Sequence, residues 1–174
     1  MTTKLKYYAG SISLNEDEQF IEAIVLHYDV PNENRWRPVS GCLDDFFLRL
    51  GKTNKGVAAC YQHDESQLIG VWRDFEVVDG NALKAKMYYV ETPFVKDTVL
   101  PQVRAGILQG ASPTIAPFKV KTVNGIDDVI EGLLAEISLV GLPADFESEI
   151  LKMSASLAAK EIEKNNFELN LLIN

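Results

Sequence analysis

Apolar and polar side chains are distributed along much of the chain in the manner typical of β-strands. Residues 20–30 form an apolar, β-branched stretch that ends at Pro31, and they predict an early strand. Residues 32–37 are polar and predict a loop. Further strand-like pieces follow, the first two of them separated by the turn formers at 64–66: 57–63, 68–78 and 82–90. Such short connections predict an antiparallel meander.

A second hairpin is predicted further along the chain. Residues 112–123 and 129–142 are both rich in apolar and β-branched side chains. Asn124 and Gly125 lie between them, and this pair is the preferred chemistry of a tight hairpin turn. We therefore expect two adjacent antiparallel strands here.

Helical spacing of apolar side chains predicts three helices. The first follows Ser40, a candidate N-cap, and ends at Gly51. The second begins at Thr92 and is expected to bend at Pro101. The third covers residues 147–164 and leaves a polar tail behind it. Because strands dominate and helices flank them, the pattern predicts one α+β domain built mainly on an antiparallel β-sheet or barrel.

The amino-acid composition limits the kinds of partner and binding site that we expect for this chain. The 174 residues carry a formal net charge of −8, which argues against nucleic acid as the main partner. No apolar stretch reaches membrane-spanning length, and no apolar segment follows the two N-terminal lysines as in a signal peptide. Cys42 and Cys60 are too few for a disulfide scaffold and lack zinc-ligand spacing. We expect a soluble, cytoplasmic protein without metal or cofactor.

The chain has two histidines as candidates for acid and base chemistry. His27 lies inside the first predicted strand, where it is expected to be hydrogen-bonded or solvent-facing. His63 ends a predicted strand just before a polar turn, a position from which a side chain reaches a cleft while its backbone stays fixed. Taken alone, an exposed turn histidine is the competing interpretation of His63.

Two further residues stand in unexpected surroundings. Glu136 interrupts an apolar strand, where an unpaired carboxylate costs several kcal/mol, and it shares a strand face with Ser138. A histidine N–H would satisfy it, although an outward-facing glutamate on an edge strand fits the same pattern. Ser112 lies between Gly110 and Pro113, which hold its hydroxyl rigidly, but serines are common in such turns. Together the three residues supply a nucleophile, a base and an orienting carboxylate.

Three blocks containing these residues resemble those of the tailed-phage prohead proteases, a family that shares the fold of herpesvirus capsid-maturation proteases. The histidine block is Tyr-Gln-His-Asp at 61–64, and the serine block is Gly-Ile-Leu-Gln-Gly-Ala-Ser at 106–112. The third is Ala-Glu-Ile-Ser-Leu-Val at 135–140, followed by Pro-Ala-Asp at 143–145. The order of the blocks agrees with the family, as do the intervals of 49 residues from His63 to Ser112 and 24 from Ser112 to Glu136.

The resemblance implies a herpesvirus-protease-like fold and a serine endopeptidase with His63, Ser112 and Glu136 as its triad. It implies the major capsid protein, its scaffolding segment and the protease itself as substrates, with self-association, inside assembling proheads in the bacterial cytoplasm. Residues 1–151 would form the protease domain. Residues 152–174 would be the end of the last helix and a tail, either a docking or self-removed segment or a packing helix with a frayed end.

The serine block departs from the family in one respect. Family members usually continue Ser-x-Gly-Phe, whereas the segment from Ser112 to Phe118 is two residues longer and lacks the glycine. An alignment anchored on Phe118 would put Ile115 at the nucleophile position. The alternative function is therefore a catalytically inactive capsid-assembly or scaffold protein with the protease fold. A host peptidase outside any virus remains a third possibility.

Overall fold

The computed structural model describes residues 6–7 and 19–154. Strands make up most of this part of the chain: β1 Lys6–Tyr7, β2 Phe20–His27, β3 Trp36–Pro38, β4 Val57–Tyr61, β5 Asp64–Val78, β6 Ala82–Tyr88, β7 Gly110–Val123, β8 Ile126–Val140 and β9 Ile150–Ser154. The helical elements are short: α1 Asp44–Leu50, a π-helical turn Val95–Val99 and α2 Leu100–Arg104. In the described residues no helix is long and apolar enough to cross a membrane.

The strands form one open, mixed sheet with the order β3-β8-β4-β5-β6-β2-β9. Strand β1 pairs with β5, and β7 pairs with β8 along its whole length. Most pairs are antiparallel, but β3 and β4 both run parallel to β8 on the side opposite β7. The predicted α+β class, with sheet dominating over a few helices, is confirmed; a closed herpesvirus-type barrel stays a prediction.

The two tight turns that matter for the site are both built on left-handed backbone. Asn124 and Gly125 have φ of 52° and 75° and join β7 to β8, which confirms the predicted hairpin. Gln62 and His63 have φ of 53° and 60° and join β4 to β5. His63 therefore belongs to the turn itself, and the sequence-based placement of the turn at 64–66 is wrong.

Residues 64–66 lie instead within β5, at an irregularity of the ladder. Cys60 pairs with Leu68 and Tyr61 with Asp64, so β5 carries extra residues between these two pairs. The Asp64 carboxylate accepts a hydrogen bond from the Ser66 N–H at 2.9 Å. The polar side chains that suggested a turn thus stabilise a bulge in the strand.

A buried aromatic and aliphatic core lies against the sheet. Trp72 and Phe75 of β5 are almost inaccessible to solvent, and the Trp72 indole N–H donates to the Ile137 carbonyl of β8 at 2.9 Å. Phe47 of α1 packs on Phe75 with ring centroids 4.9 Å apart. This packing fixes β8 and β5 relative to each other, which matters because β8 carries the candidate carboxylate.

Two predicted helix starts have different outcomes. The N-terminal boundary of α1 is Leu43 rather than Ser40. The backbone N–H of Ser40 donates instead to the Asp29 carboxylate. The predicted end of this helix at Gly51 is confirmed. Thr92 does cap the second helix, since its hydroxyl accepts the Val95 N–H at 3.2 Å. Pro101 then falls in the first turn of α2, directly after the π-helical turn.

Two segments are strands where the sequence predicted otherwise. The predicted loop at 32–37 contains the start of β3, whose partner is Asp127 to Val129 of β8. The predicted helix at 147–164 is wrong over β9, Ile150–Ser154, which pairs with β2. The free edge of β2 supplies backbone partners that helical periodicity does not reveal. Residues 147–149 of that predicted helix are not helical either, whereas residues 155–164 and the tail lie outside the described residues.

Ser148 connects the two ends of the sheet. Its buried hydroxyl lies 2.6 Å from the carbonyl oxygens of Ile24 in β2 and Ala111 in β7, and it accepts the Ala111 N–H at 3.2 Å. The end of β2 is thereby held beside the start of β7. This brings residues of both strands to one cavity.

Candidate active site

Glu136 lies in the middle of the sheet and is only 3% exposed. Its Oε1 is 2.8 Å from Nδ1 of His63, and the same oxygen accepts a hydrogen bond from the Thr114 hydroxyl. Its Oε2 accepts from the Ser138 hydroxyl at 2.7 Å. A buried carboxylate of this kind requires several donors, and the three side chains provide them.

Ser138 links the carboxylate to the turn that carries the histidine. Its hydroxyl donates to Glu136 and accepts the backbone N–H of His63 at 2.9 Å. Sequence reasoning placed Ser138 on the face of Glu136 but gave it no role. A polar residue two positions from a buried carboxylate, on the same strand face, is the signal that could have found it.

The strand register explains how His63 reaches Glu136. In the parallel β4–β8 pair, Ala58 lies beside Glu136 and Cys60 beside Ser138. The chain then turns back at Gln62 and His63 through left-handed backbone. The imidazole is held by Glu136 on one side, while its side chain remains 45% exposed. It is a fixed ring at the mouth of a cavity.

Ser112 lies on the other side of β8, in β7. It pairs with Ser138, and Thr114 pairs with Glu136, so the neighbouring strand presents both hydroxyls to the carboxylate face. Ser112 is 6% exposed and lines a cavity of about 320 Å³ together with His63 and Thr114. Within the described residues, no hydrogen bond joins the Ser112 hydroxyl to the His63 ring. Ile115, the alternative nucleophile position, is a half-buried apolar residue packed on the core.

His27 is hydrogen-bonded, in agreement with the interpretation of it as a strand histidine with a partner. Its Nδ1 lies 2.9 Å from Oδ2 of Asp145, which also accepts the His27 backbone N–H at 2.8 Å. His27 and Asp145 line the same cavity as Ser112. The cavity is therefore lined by both histidines, each hydrogen-bonded to a carboxylate, and sequence reasoning missed the Asp145 contact.

No family model and no curated protein matches this chain. Among solved structures, the capsid assembly protease gp21 of bacteriophage T4 matches with a TM-score of 0.55 and 18% sequence identity. The match covers 79% of this chain and 96% of that chain. The fold of this chain is therefore similar to that of a phage capsid assembly protease. At this level of identity the likeness concerns the fold alone, and the chemistry of the site depends on the residues of this chain.

In this protease-like fold, the structure brings two of the three predicted site residues into direct contact. His63 and Glu136 are hydrogen-bonded, and Ser112 lines the cavity that His63 also lines. The nearby thiol of Cys60 is buried, and burial together with Glu136 raises its pKa. Burial raises the pKa of Cys42 to about 12. Neither cysteine is among the described residues that line the cavity, whose hydroxyl-bearing lining residues are Ser112 and Thr114.

Proposed function

We propose that this chain is a serine endopeptidase that processes phage capsid and scaffold proteins during prohead maturation. His63 would be the general base, Ser112 the nucleophile and Glu136 the residue that orients the imidazole. The observation that carries the proposal is the 2.8 Å contact between His63 Nδ1 and the buried Glu136 carboxylate, on a ring that shares a cavity with Ser112. The similarity of the fold to a capsid assembly protease supports it.

The proposed reaction follows from the hydrogen bonds of the imidazole. With Nδ1–H donated to Glu136, the other ring nitrogen Nε2 is left as an acceptor. It would take the proton of the Ser112 hydroxyl as Oγ attacks the peptide carbonyl, and then return that proton to the leaving amine. The resulting acyl-enzyme would be hydrolysed by water, with the same imidazole as base.

The proposed substrates are the major capsid protein with its scaffolding segment and the protease chain itself. Cleavage would take place inside assembling proheads in the host cytoplasm, and self-association would concentrate the enzyme there. Residues 152–174 are the proposed self-removed or docking segment, and its first three residues, 152–154, belong to strand β9. Mass spectrometry of this protein from mature particles tests self-removal, because protein that still carries residues 152–174 would rule it out.

A serine-directed fluorophosphonate probe and purified capsid precursor test the enzymatic proposal directly. Wild-type protein should be labelled and should cleave the precursor, whereas Ser112→Ala should do neither while keeping its circular dichroism spectrum. His63→Ala should reduce labelling strongly, because the hydroxyl then lacks a base. Ser40→Ala, at an exposed serine away from the cavity, is the matched control and should behave as wild type. Precursor cleavage by purified Ser112→Ala would exclude this nucleophile.

A second candidate is a non-catalytic capsid-assembly protein with the same fold. The observation that favours it is the Ser112 hydroxyl, which makes no hydrogen bond with His63 in the part of the chain that the structure describes. The same experiment separates the two functions. Wild-type protein that binds capsid precursor, resists the probe and leaves the precursor intact is an assembly protein rather than a protease.

A further inference from the structure

The cavity that Ser112 and His63 line is also lined by residues of the segment that follows β2. Its wall on that side carries the apolar side chains of Leu26, Val30, Trp36, Pro38, Ile115 and Ala144, together with the polar side chains of His27, Asn32, Asn34 and Asp145. Val30 is 39% exposed, so it lies at the opening. A volume of about 320 Å³ is at the lower end of the range of ~300–1,000 Å³ typical of small-molecule sites. It suits one or two side chains of an extended peptide.

Two of the acceptor groups on this wall already have partners within the protein, the Asp145 carboxylate and the Asn32 side-chain oxygen. Asp145 accepts the backbone N–H and Nδ1 of His27 on one oxygen and the Glu147 N–H on the other. The Asn32 side-chain oxygen accepts the backbone N–H groups of Asn34 and Trp36, each at 3.0 Å. Among the described residues that line the cavity there is no lysine or arginine.

The lining residues and their hydrogen bonds determine which kind of side chain can bind in the cavity. A glutamate or aspartate would meet no lysine or arginine among the described lining residues, and a lysine would have to share the Asp145 carboxylate, each of whose oxygens already accepts a hydrogen bond. Burying a charge without a partner is costly, whereas burying an aliphatic side chain is favourable by about 25 cal/mol per Å² of apolar surface. The cavity wall therefore discriminates in favour of apolar groups.

We propose that this apolar wall is a specificity subsite that holds an aliphatic side chain of the substrate peptide next to the bond to be cleaved. The assignment of the bound peptide as a substrate rests on the proposed protease function. It is supported by continuity, since Ser112 and His63 line the same cavity as Trp36 and Ala144. An aliphatic residue seated there would position the adjacent carbonyl at the Ser112 hydroxyl.

Binding is tested first, on the Ser112→Ala protein, so that the result does not depend on catalysis. The probes are the blocked tripeptides acetyl-Ala-Leu-Ala-amide, acetyl-Ala-Lys-Ala-amide and acetyl-Ala-Glu-Ala-amide. Trp36 lines the cavity, while Trp72 is buried elsewhere in the core, so the two indole N–H resonances give a reporter and an internal control. The leucine peptide should shift the Trp36 resonance alone, at concentrations at least 10-fold lower than either charged peptide. No shift, or equal shifts with all three peptides, would overturn the subsite.

Cleavage specificity is tested with active protein and a synthetic peptide library. Ala144→Leu fills the cavity, and it should lower kcat/KM for peptides with leucine at the selected position about 10- to 100-fold while sparing those with alanine. Val30→Asp should reduce the preference for leucine over lysine by a similar factor. Val120→Asp, at a valine of similar exposure outside the cavity, should leave the preference unchanged. Cleavage without a preference for aliphatic residues would contradict the proposed subsite but not the proposed protease function. A shift of the Trp36 resonance without hydrolysis by wild-type protein would contradict the protease function and support the apolar binding site.

Discussion

Nδ1 of His63 lies 2.8 Å from Oε1 of Glu136, across a sequence separation of 73 residues. The contact joins a half-exposed ring in a tight turn to a carboxylate that is almost fully buried in a central strand. Ser138 and Thr114 hold the carboxylate from other directions. The imidazole is therefore oriented by groups that the fold fixes before any ligand arrives, which is the arrangement that general base catalysis requires.

Replacing Glu136 by glutamine should abolish most activity and preserve the fold. The glutamine NH₂ group would donate to Nδ1 of His63 and hold the ring in the tautomer with Nε2–H, which cannot accept a proton from Ser112. Loss of the orienting carboxylate in serine proteases lowers kcat by on the order of 10⁴-fold, and we expect a loss of similar size. Steady-state kinetics with a capsid-derived peptide measures it.

Glu131→Gln provides the matched control for that variant, because Glu131 lies in the same strand but is exposed to solvent. It should retain wild-type kcat and KM. If Glu136→Gln retained more than about a tenth of the wild-type kcat, the carboxylate would not be orienting the base, since that role implies a far larger loss.

Ser138→Ala tests whether the hydroxyl that bridges Glu136 and the His63 backbone positions the pair. Its removal leaves one carboxylate oxygen and one N–H without their partner, in a fully buried place. A displacement of about 1 Å in a catalytic group can cost on the order of 100-fold in rate, so kcat should fall about 10- to 100-fold with KM nearly unchanged. A purely structural role would instead lower stability and leave kcat of the folded fraction intact, and Ser138→Thr, which keeps the hydroxyl, should recover part of the loss.

The sequence was most informative where structure is determined locally. Asn124 and Gly125 specify a two-residue turn regardless of what surrounds them, so the β7–β8 hairpin could be predicted. Ile150 to Ser154 was mispredicted because its apolar spacing also fits a helix, and its strand conformation depends on pairing with β2, more than 120 residues earlier. The parallel pairing of β3 and β4 with β8 could not be predicted for the same reason, since parallel strands are not joined by a tight turn that the sequence reveals.

In the candidate site, too, features that depend on local sequence could be predicted, and those that depend on distant pairing could not. Glu136 could be singled out because a carboxylate in an apolar strand needs donors, and its pairing with His63 could be anticipated from the resemblance to a family. Asp145 as the partner of His27 could not, because the two are 118 residues apart and neither is unusual in its own segment. The position of Ser112 on the cavity wall depends on the β7–β8 register, which the strand pattern alone does not determine.

Ser148→Ala should destabilise the fold without touching the candidate site residues. Its hydroxyl donates its single proton to the carbonyl of Ile24 or of Ala111 and accepts the Ala111 N–H, and each buried polar group left without a partner costs about 1–3 kcal/mol. Urea unfolding should therefore show a loss of a few kcal/mol in the free energy of unfolding, against no change for Ser40→Ala. Equal stability of Ser148→Ala and wild type would mean that this hydroxyl does not hold β2 to β7.

Stability at low pH should depend on Asp128, which joins β8 to β3. Its two oxygens accept hydrogen bonds from Nε and Nη2 of Arg37 at 2.6 and 2.8 Å. These hydrogen bonds hold the pKa of the Asp128 carboxyl below its usual range, and the same contact raises the pKa of Arg37. In the unfolded chain the carboxyl titrates near its ordinary pKa of about 4, so unfolding takes up a proton as the pH falls past that value.

The contribution of Asp128 to stability should thus be fully present above about pH 5 and disappear as the pH falls through the pKa of the folded protein. Urea unfolding of wild type and Asp128→Asn from pH 7 to pH 3 measures it: the variant should be less stable at pH 7, and the difference should shrink below pH 5. Asp97→Asn, at an exposed aspartate, should give no such convergence. A difference that stayed constant down to pH 3 would show that the Arg37 pair does not perturb this carboxyl, because only a lowered pKa couples its ionisation to folding.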